Sequence, residues 1–171
     1  MTLTQRKETS NDHDAIRALT ARAFAPKPYS NGTEPSVIEA LRESGELTLS
    51  LVALEGDTCL GQITFSPVTI DGVHDGWFGL GPIAVEPARQ GEGIGAALIG
   101  EGLEYLKKTG AKACVLIGDP TYYNRFGFEA NTGLSYGDLD ARFIQRLVLA
   151  GPDKSGSLLY SPSFEKAAAS Q

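Results

Sequence analysis

At 171 residues, the chain is long enough to bury a core of its own, and its 42% hydrophobic and 21% charged residues are ordinary for a globular protein. The formal net charge of −6 argues against nucleic acid or an anionic membrane as a partner, because both favour a basic face. The sequence has no signal-peptide core and no stretch apolar enough to span a membrane. We therefore expect a cytoplasmic protein with one domain over 1–171 and a core over about 3–165.

The first half of the chain predicts an edge strand, two helices and three hairpin-connected strands. Apolar residues at helical spacing indicate one helix that ends before Pro26 and a second from about Pro35 to Gly45. The predicted strands are 3–8, 47–54, 60–70 and 77–85. The short link 55–58 makes an antiparallel hairpin. Because proline cannot donate to a ladder, Pro82 predicts a bulge and a slot beside its strand.

A long helix over about 92–109 follows, with Gly100 and Gly102 in its interior. Each glycine costs about 1 kcal/mol relative to alanine, so close packing on the sheet is the expected reason for them. The helix leads to a short apolar strand over 113–117. Because a helical crossover returns the chain in the same direction, this strand should run parallel to strand 77–85.

The remainder predicts an aromatic turn, a last clear strand over 143–149, a small addition to that strand over 158–160, and a frayed tail over 167–171. Together these elements predict an α/β (α+β) fold with a mixed, mostly antiparallel central sheet flanked by helices, in the order β-α-α-β-β-β-α-β-α-β. Cys59 and Cys114 lie in apolar, strand-like sequence, which predicts two buried free thiols.

Three glycines at alternate positions, Gly91, Gly93 and Gly95, stand between strand 77–85 and the long helix. A helix start has backbone N–H groups without internal partners and a partial positive charge, and glycines let an anion approach them closely. The alternative is a tight turn that binds nothing. Three glycines cost backbone entropy that an ordinary turn does not require, so the pattern favours an anion site.

A dinucleotide-binding domain is one interpretation of this loop. Gly91, Gly93 and Ala96 satisfy G-x-G-x-x-G/A, and Asp119 follows the next strand, where an acid could bind a ribose. That fingerprint belongs at the first strand-to-helix turn of a doubly wound sheet, whereas antiparallel strands precede it here and too few residues follow. An NAD-binding protein is therefore a remote alternative, and a P-loop is weaker because no Gly-Lys-Ser/Thr follows.

A family resemblance covers essentially the whole chain. The segment 90–95, Gln-Gly-Glu-Gly-Ile-Gly, matches the Q/R-x-x-G-x-G/A motif of the Gcn5-related N-acetyltransferase (GNAT) superfamily. The segment 123–128, Tyr-Asn-Arg-Phe-Gly-Phe, resembles that superfamily's Y-x-x-x-G-F signature, and the order of elements is similar. Segments 79–85 and 118–128 look most like a bacterial, YhbS-like branch of predicted acetyltransferases.

The resemblance implies acetyl-CoA as co-substrate, no metal, and direct attack of a primary amine of a small molecule or peptide on the acetyl group. The pyrophosphate would accept hydrogen bonds from the backbone over 91–96, with the Glu92 side chain toward solvent, and pantetheine would lie along 83–85. Arg89 would meet a phosphate or stay on a solvated loop. The residues assigned to the cofactor are Ile83, Ala84, Val85, Arg89, Gln90, Gly91, Glu92, Gly93, Ile94, Gly95, Ala96 and Asp119.

Tyr123 occupies the position where the superfamily places its general acid, and a phenol is protonated at neutral pH and can donate to the leaving sulfur. Packing among neighbouring aromatic residues is the alternative role. Strand 77–85 has no Glu, Asp or His, whereas many relatives have a general base there. Water or a loop residue (His74, Asp75 or Glu34) is then left as the base.

A second departure from the usual pattern concerns the segment before the aromatic turn. The short segment 118–121 replaces a longer one there, so the usual pantetheine-binding side chain is unassigned. A CoA-binding sensor with the same fold and no catalysis is the alternative function. The acceptor, which depends on variable loops such as 26–33, 71–76 and 131–140, and the oligomeric state, a homodimer included, are not readable from the sequence.

Overall fold

The computed structural model describes residues 2–169. Its strands are β1 Leu3–Lys7, β2 Leu49–Glu55, β3 Thr58–Ile70, β4 Trp77–Val85, β5 Ala113–Ile117, β6 Glu129–Ala130, β7 Leu134–Ser135, β8 Ile144–Val148 and β9 Gly156–Tyr160. Its α-helices are α1 His13–Phe24, α2 Glu34–Ser44, α3 Ile94–Lys108, α4 Pro120–Tyr123 and α5 Pro162–Ala169.

One mixed sheet runs through the molecule in the order β1-β2-β3-β4-β5-β8-β6. The neighbours along this path are antiparallel except β4 and β5, which are parallel and joined by α3. The predicted fold class and the parallel pair are therefore confirmed. Among the described residues, no helix is both long and apolar enough to cross a bilayer.

The helices cover both faces of the sheet. Alternate residues of a strand point to opposite faces, and on β2 Leu51 packs with α3 whereas Val52 packs with α1 and α2. The α3 face includes the largest cluster of buried apolar side chains, with Ile63 and Phe65 of β3 at its centre. This cluster anchors the start of α3 against β4, which positions the glycine loop.

Gly102 explains how α3 lies so close to the sheet. A Cβ at this buried position would overlap with the ring of Phe65, whereas a Cβ on the exposed Gly100 would meet nothing within 4 Å. The expectation of close packing is confirmed for Gly102 and wrong for Gly100, which faces solvent.

We expect Gly102→Ala to destabilise the fold by up to about 2 kcal/mol, because overpacking costs about 1–3 kcal/mol and the gain in helix propensity offsets about 1 kcal/mol. The matched control, Gly100→Ala, should stabilise the protein by up to about 1 kcal/mol. Urea unfolding at constant m-value measures both. Equal stability of the two variants would contradict the packing argument.

The C-terminal region differs most from the prediction. The segment 158–160 does not extend the β8 strand; β9 instead pairs antiparallel with β3 and parallel with β7. Residues 167–169 are not frayed but end helix α5, which the sequence analysis missed, while 170 and 171 lie outside the described residues. Four strands and a helix follow α4, where one strand and a small addition to it were predicted.

Both cysteines are free, as predicted. Cys114 is buried in β5, and burial raises the pKa of its thiol. Cys59 is only partly buried, so the prediction of two buried thiols is wrong for that residue.

Candidate functional site

The parallel strands β4 and β5 part from one another halfway along β4. Their pairing covers only Trp77–Gly79 opposite Ala113–Val115, and β5 then continues beside β8. On its other side, β4 pairs with β3, and the register of this pairing shifts by one residue. Ile63 lies opposite Ile83, and Phe65 lies opposite Leu80. Thr64, the single β3 residue between them, therefore faces two β4 residues, Gly81 and Pro82. The predicted bulge and slot are confirmed. We call the slot between β4 and β5 the fork.

The backbone of β4 beyond the bulge points into the fork at alternate residues. Glu86 N–H donates to Leu60 O on β3 at 2.8 Å. Because backbone groups of successive strand residues point to opposite sides, Ile83 and Val85 direct theirs away from β3 and into the fork. Ala84 directs its backbone to β3, and its buried side chain packs against α1.

The glycine loop lies at the open end of the fork. A short 3₁₀ turn, Pro87–Arg89, leads from β4 into it, and Gly91 (φ 83°) and Gly93 (φ 88°) are in the left-handed region that favours glycine. A Cβ on either would meet nothing within 4 Å, so the concave side is open to a ligand. We call residues 90–96 the cradle.

Free donors line the cradle. Gly93 is the N-cap of α3, and the first intrahelical bond there is donated by Ala97 N–H to Gly93 O. The N–H groups of Ile94, Gly95 and Ala96 therefore have no intrahelical acceptor. The Ile94 side chain is buried in the core, so this residue offers only its backbone. Gln90 donates from Nε2 to Val85 O at 3.3 Å and joins the cradle to the end of β4.

Arg89 is held by two carboxylates. It donates to Glu55 on β2 through Nη1 and Nη2, both at 3.1 Å, and to Glu92 through Nε at 2.9 and 3.0 Å. These bonds lower the pKa of Glu55 and raise that of Arg89. The Glu92 carboxylate is thus paired rather than simply solvated, and Arg89 stabilises the loop. Sequence reasoning missed Glu55, which lies 34 residues before Arg89.

Tyr123 packs at the end of β5. A Cβ on Gly118 would lie 2.7 Å from its ring, and Phe128 and Tyr122 meet it edge-on with centroids at 6.3 and 5.0 Å. Burial raises the pKa of Tyr123 to about 12, and the hydroxyl lies within electrostatic reach of Tyr29 on the α1–α2 loop. This phenol is a proton donor throughout the neutral range.

Tyr122 reaches the cradle. Its hydroxyl would be 3.7 Å from a Cβ on Gly95, beside the side chains of Ile83 and Val85. The Arg125 guanidinium stacks 4.4 Å from the centroid of its ring. Tyr122 therefore lies at the cradle end of the fork, a position that the sequence analysis did not predict.

Asp119 caps the short helix α4. Its carboxylate accepts hydrogen bonds from Thr121 N–H at 2.9 Å and Thr121 Oγ1 at 2.8 Å, which lower its pKa. The residue therefore lies at the β5 side of the fork, beside the turn that holds Tyr123.

The three loop candidates for the base lie in different surroundings. His74 Nδ1 is 3.0 Å from Val68 O. Asp75 accepts from Lys112 at 2.7 Å and Lys154 at 2.8 Å, which lower its pKa to about 2. Glu34, at the start of α2, accepts from Ser30 Oγ at 2.7 Å. These contacts do not single out one of the three residues as the base.

A further aromatic residue from β9 reaches the closed end of the fork. The ring of Tyr160 covers Gly79, where a Cβ would overlap with Cε2 of that ring. The sequence gives no local signal for this contact, because 81 residues separate the two positions. No group of three or more His, Cys, Asp or Glu side chains within 2–169 is arranged to hold a metal ion.

Comparison with known proteins adds to this geometry. Residues 4–130 match the acetyltransferase (GNAT) domain family. The chain is 39% identical over 125 residues to the uncharacterized N-acetyltransferase YhbS of Escherichia coli (strain K12). The aligned residues make up 72% of each of the two chains.

Solved structures resemble the whole fold. A GNAT family acetyltransferase from Brucella melitensis, crystallised in complex with acetyl-CoA, superposes with a TM-score of 0.86 at 46% identity. The match covers 95% of this chain and 98% of the Brucella chain. YhbS from Escherichia coli, in complex with CoA, gives a TM-score of 0.87 at 33% identity, and the match covers 95% of this chain and 92% of the YhbS chain. From the matched domain and these relatives, the chain belongs to the GNAT family of acetyltransferases.

Proposed function

We propose that this protein transfers an acetyl group from acetyl-CoA to a primary amine of a small molecule or peptide. The observation that carries the proposal is the continuity of the cradle and the fork, which are joined by the unpaired edge of β4 and have Tyr123 beside them. The complexes of the Brucella and Escherichia coli relatives with acetyl-CoA and CoA support it.

The residues present fit such a ligand. The free N–H groups of 94–96 and the positive end of α3 would hold the pyrophosphate, with Gly91 and Gly93 leaving room for it. The backbone N–H and C=O of Ile83 and the N–H of Val85 would pair with the amides of the pantetheine arm, whereas Val85 O already accepts from Gln90 Nε2. Acetyl-CoA supplies the acetyl group as a thioester. Arg89 and Asp119 would act indirectly, by holding the loop and α4.

We assign Tyr123 as the general acid. A partly buried phenol with a pKa of about 12 keeps its proton at neutral pH and can donate it to the sulfur of departing CoA. The amine has to reach the site as the free base, and a water molecule or one of the loop residues His74, Asp75 and Glu34 would accept its proton.

The proposal is tested by incubating the protein with acetyl-CoA and a panel of primary amines while free thiol is measured. Thiol release that depends on one of the amines is expected. Tight binding of CoA without turnover on any amine would favour a non-catalytic acyl-CoA sensor. Binding of NAD in place of CoA would overturn the assignment of the cradle.

Glu92→Gln is expected to tighten CoA binding by about three- to tenfold at low salt, because one negative charge leaves the surroundings of the pyrophosphate. Arg89 retains its two bonds to Glu55 in this variant. Titration calorimetry with CoA at two ionic strengths measures the effect, which should shrink as salt screens the exposed charges. The control is Glu101→Gln on the exposed side of α3. Unchanged or weaker binding by Glu92→Gln would contradict the placement of the pyrophosphate.

A further inference from the structure

Tyr160 reaches the fork from a distant part of the fold. It lies opposite Val68 at the edge of β3, and its ring extends across β3 to cover Gly79 on β4. Gly79 and Val115 form the last pair between β4 and β5 before the strands part. The buried ring therefore stands at the point where the fork closes.

The ring is fixed from several sides. Phe164 of α5 stacks on it with centroids 4.3 Å apart and an interplanar angle of 20°, and Tyr136 meets it edge-on at 5.9 Å. The Glu165 carboxylate accepts from the Tyr136 hydroxyl at 2.7 and 2.8 Å and from Tyr160 N–H at 3.0 Å. A ring held this way cannot swing aside without breaking these contacts, so it acts as a rigid wall.

A ligand that fills the slot would bring its acyl group close to the ring of Tyr160. A ligand held at the cradle and paired with Val85 and Ile83 runs back along β4 toward Gly79, and six strand residues span about 20 Å. An arm of about that length would place its thioester end at the closed end of the fork. An acyl chain that continued in the same direction would meet Tyr160 and the buried side chains of Val68 and Val115.

We propose that the ring of Tyr160, fixed over Gly79, closes the acyl end of the fork and restricts the donor to short acyl groups. The inference rests on the proposed function, because it requires an acyl-CoA in the fork. It names the donor class, acetyl-CoA in preference to longer acyl-CoA thioesters, and assigns a specificity-determining residue outside both sequence motifs.

The test is a calorimetric series with acetyl-CoA, butyryl-CoA and hexanoyl-CoA. For the wild-type protein, affinity should fall by at least about tenfold from acetyl-CoA to hexanoyl-CoA, because a longer chain overpacks the closed end. In Tyr160→Ala the difference should shrink to less than about threefold, because removal of the ring opens the wall. Tyr160→Phe keeps the ring and should discriminate like the wild type.

The outcomes separate the two proposals. If no CoA thioester binds, the proposed function fails. If all three bind the wild-type protein equally, the proposed function stands and the role of Tyr160 is overturned. The same holds if a folded Tyr160→Ala discriminates as the wild type does. Should Tyr160→Ala not fold, Tyr160→Leu, which keeps apolar volume but no ring, decides by the same comparison.

Discussion

Replacement of Tyr123 by phenylalanine is expected to lower kcat by about 10²- to 10⁴-fold and to leave the affinity for acetyl-CoA near that of the wild type. The change removes one hydroxyl and keeps the ring that packs against Gly118 and Phe128. The lost contribution is proton donation to the leaving thiolate. Steady-state turnover with an amine found in the panel, together with calorimetry for acetyl-CoA, measures the two quantities.

The adjacent Tyr122→Phe is the matched control, because its hydroxyl lies near Gly95, at the cradle end of the fork. It should retain most of kcat. The pH profile gives a second check: Tyr123 is protonated below its pKa of about 12, so its acid role is present at neutral pH and is lost only as pH rises toward that value. Equal kcat in Tyr123→Phe and wild type would refute the assignment.

Gly93→Val is expected to weaken CoA binding by about 10- to 100-fold, which corresponds to the loss of about one charge-assisted hydrogen bond. Gly93 is in the left-handed region at φ 88°, and a Cβ there would meet nothing within 4 Å. A branched side chain there would strain the N-cap of α3 and occupy the space intended for the pyrophosphate. Calorimetry with CoA measures the effect.

Gly45→Val separates backbone strain from obstruction of the site. Gly45 is also left-handed, at φ 78°, has open space around its Cβ direction, and ends α2 away from the cradle. Both variants should lose stability, but only Gly93→Val should lose affinity. Unimpaired CoA binding in folded Gly93→Val would place the pyrophosphate elsewhere.

The sequence predicts the site best where its determinants are local. Pro82 inside an apolar strand is enough to predict the bulge, because a residue without an N–H group interrupts a ladder wherever the strand lies. The alternate glycines likewise predict an open, left-handed loop before a helix, which Gly91 and Gly93 adopt. The parallel strand pair follows from the length of the helical connection.

Contacts between distant parts of the chain could not be predicted in this way. Strand pattern shows that 158–160 is extended but not whether it pairs with β8 or β3, because both offer an apolar neighbour. The pairing of Arg89 with Glu55 and the contact of Tyr160 with Gly79 depend on the same tertiary arrangement. Helix α5 is eight residues long and begins at a proline, so its periodicity is too short to recognise.

The parting of β4 and β5 also creates an unpaired strand edge inside a sheet, where edges are normally hazardous because they can add a strand from another chain. Here the stretch without a β5 partner begins after Gly79 and ends at the turn that starts at Pro87, and the bulge at Pro82 interrupts it. Beyond the bulge, Ile83 and Val85 direct backbone groups into the fork, and Val85 O already accepts from Gln90, so fewer groups are available than along a typical strand of five or six residues. An interrupted edge of this kind offers little for a strand of another chain to pair with, which limits edge-to-edge association between molecules.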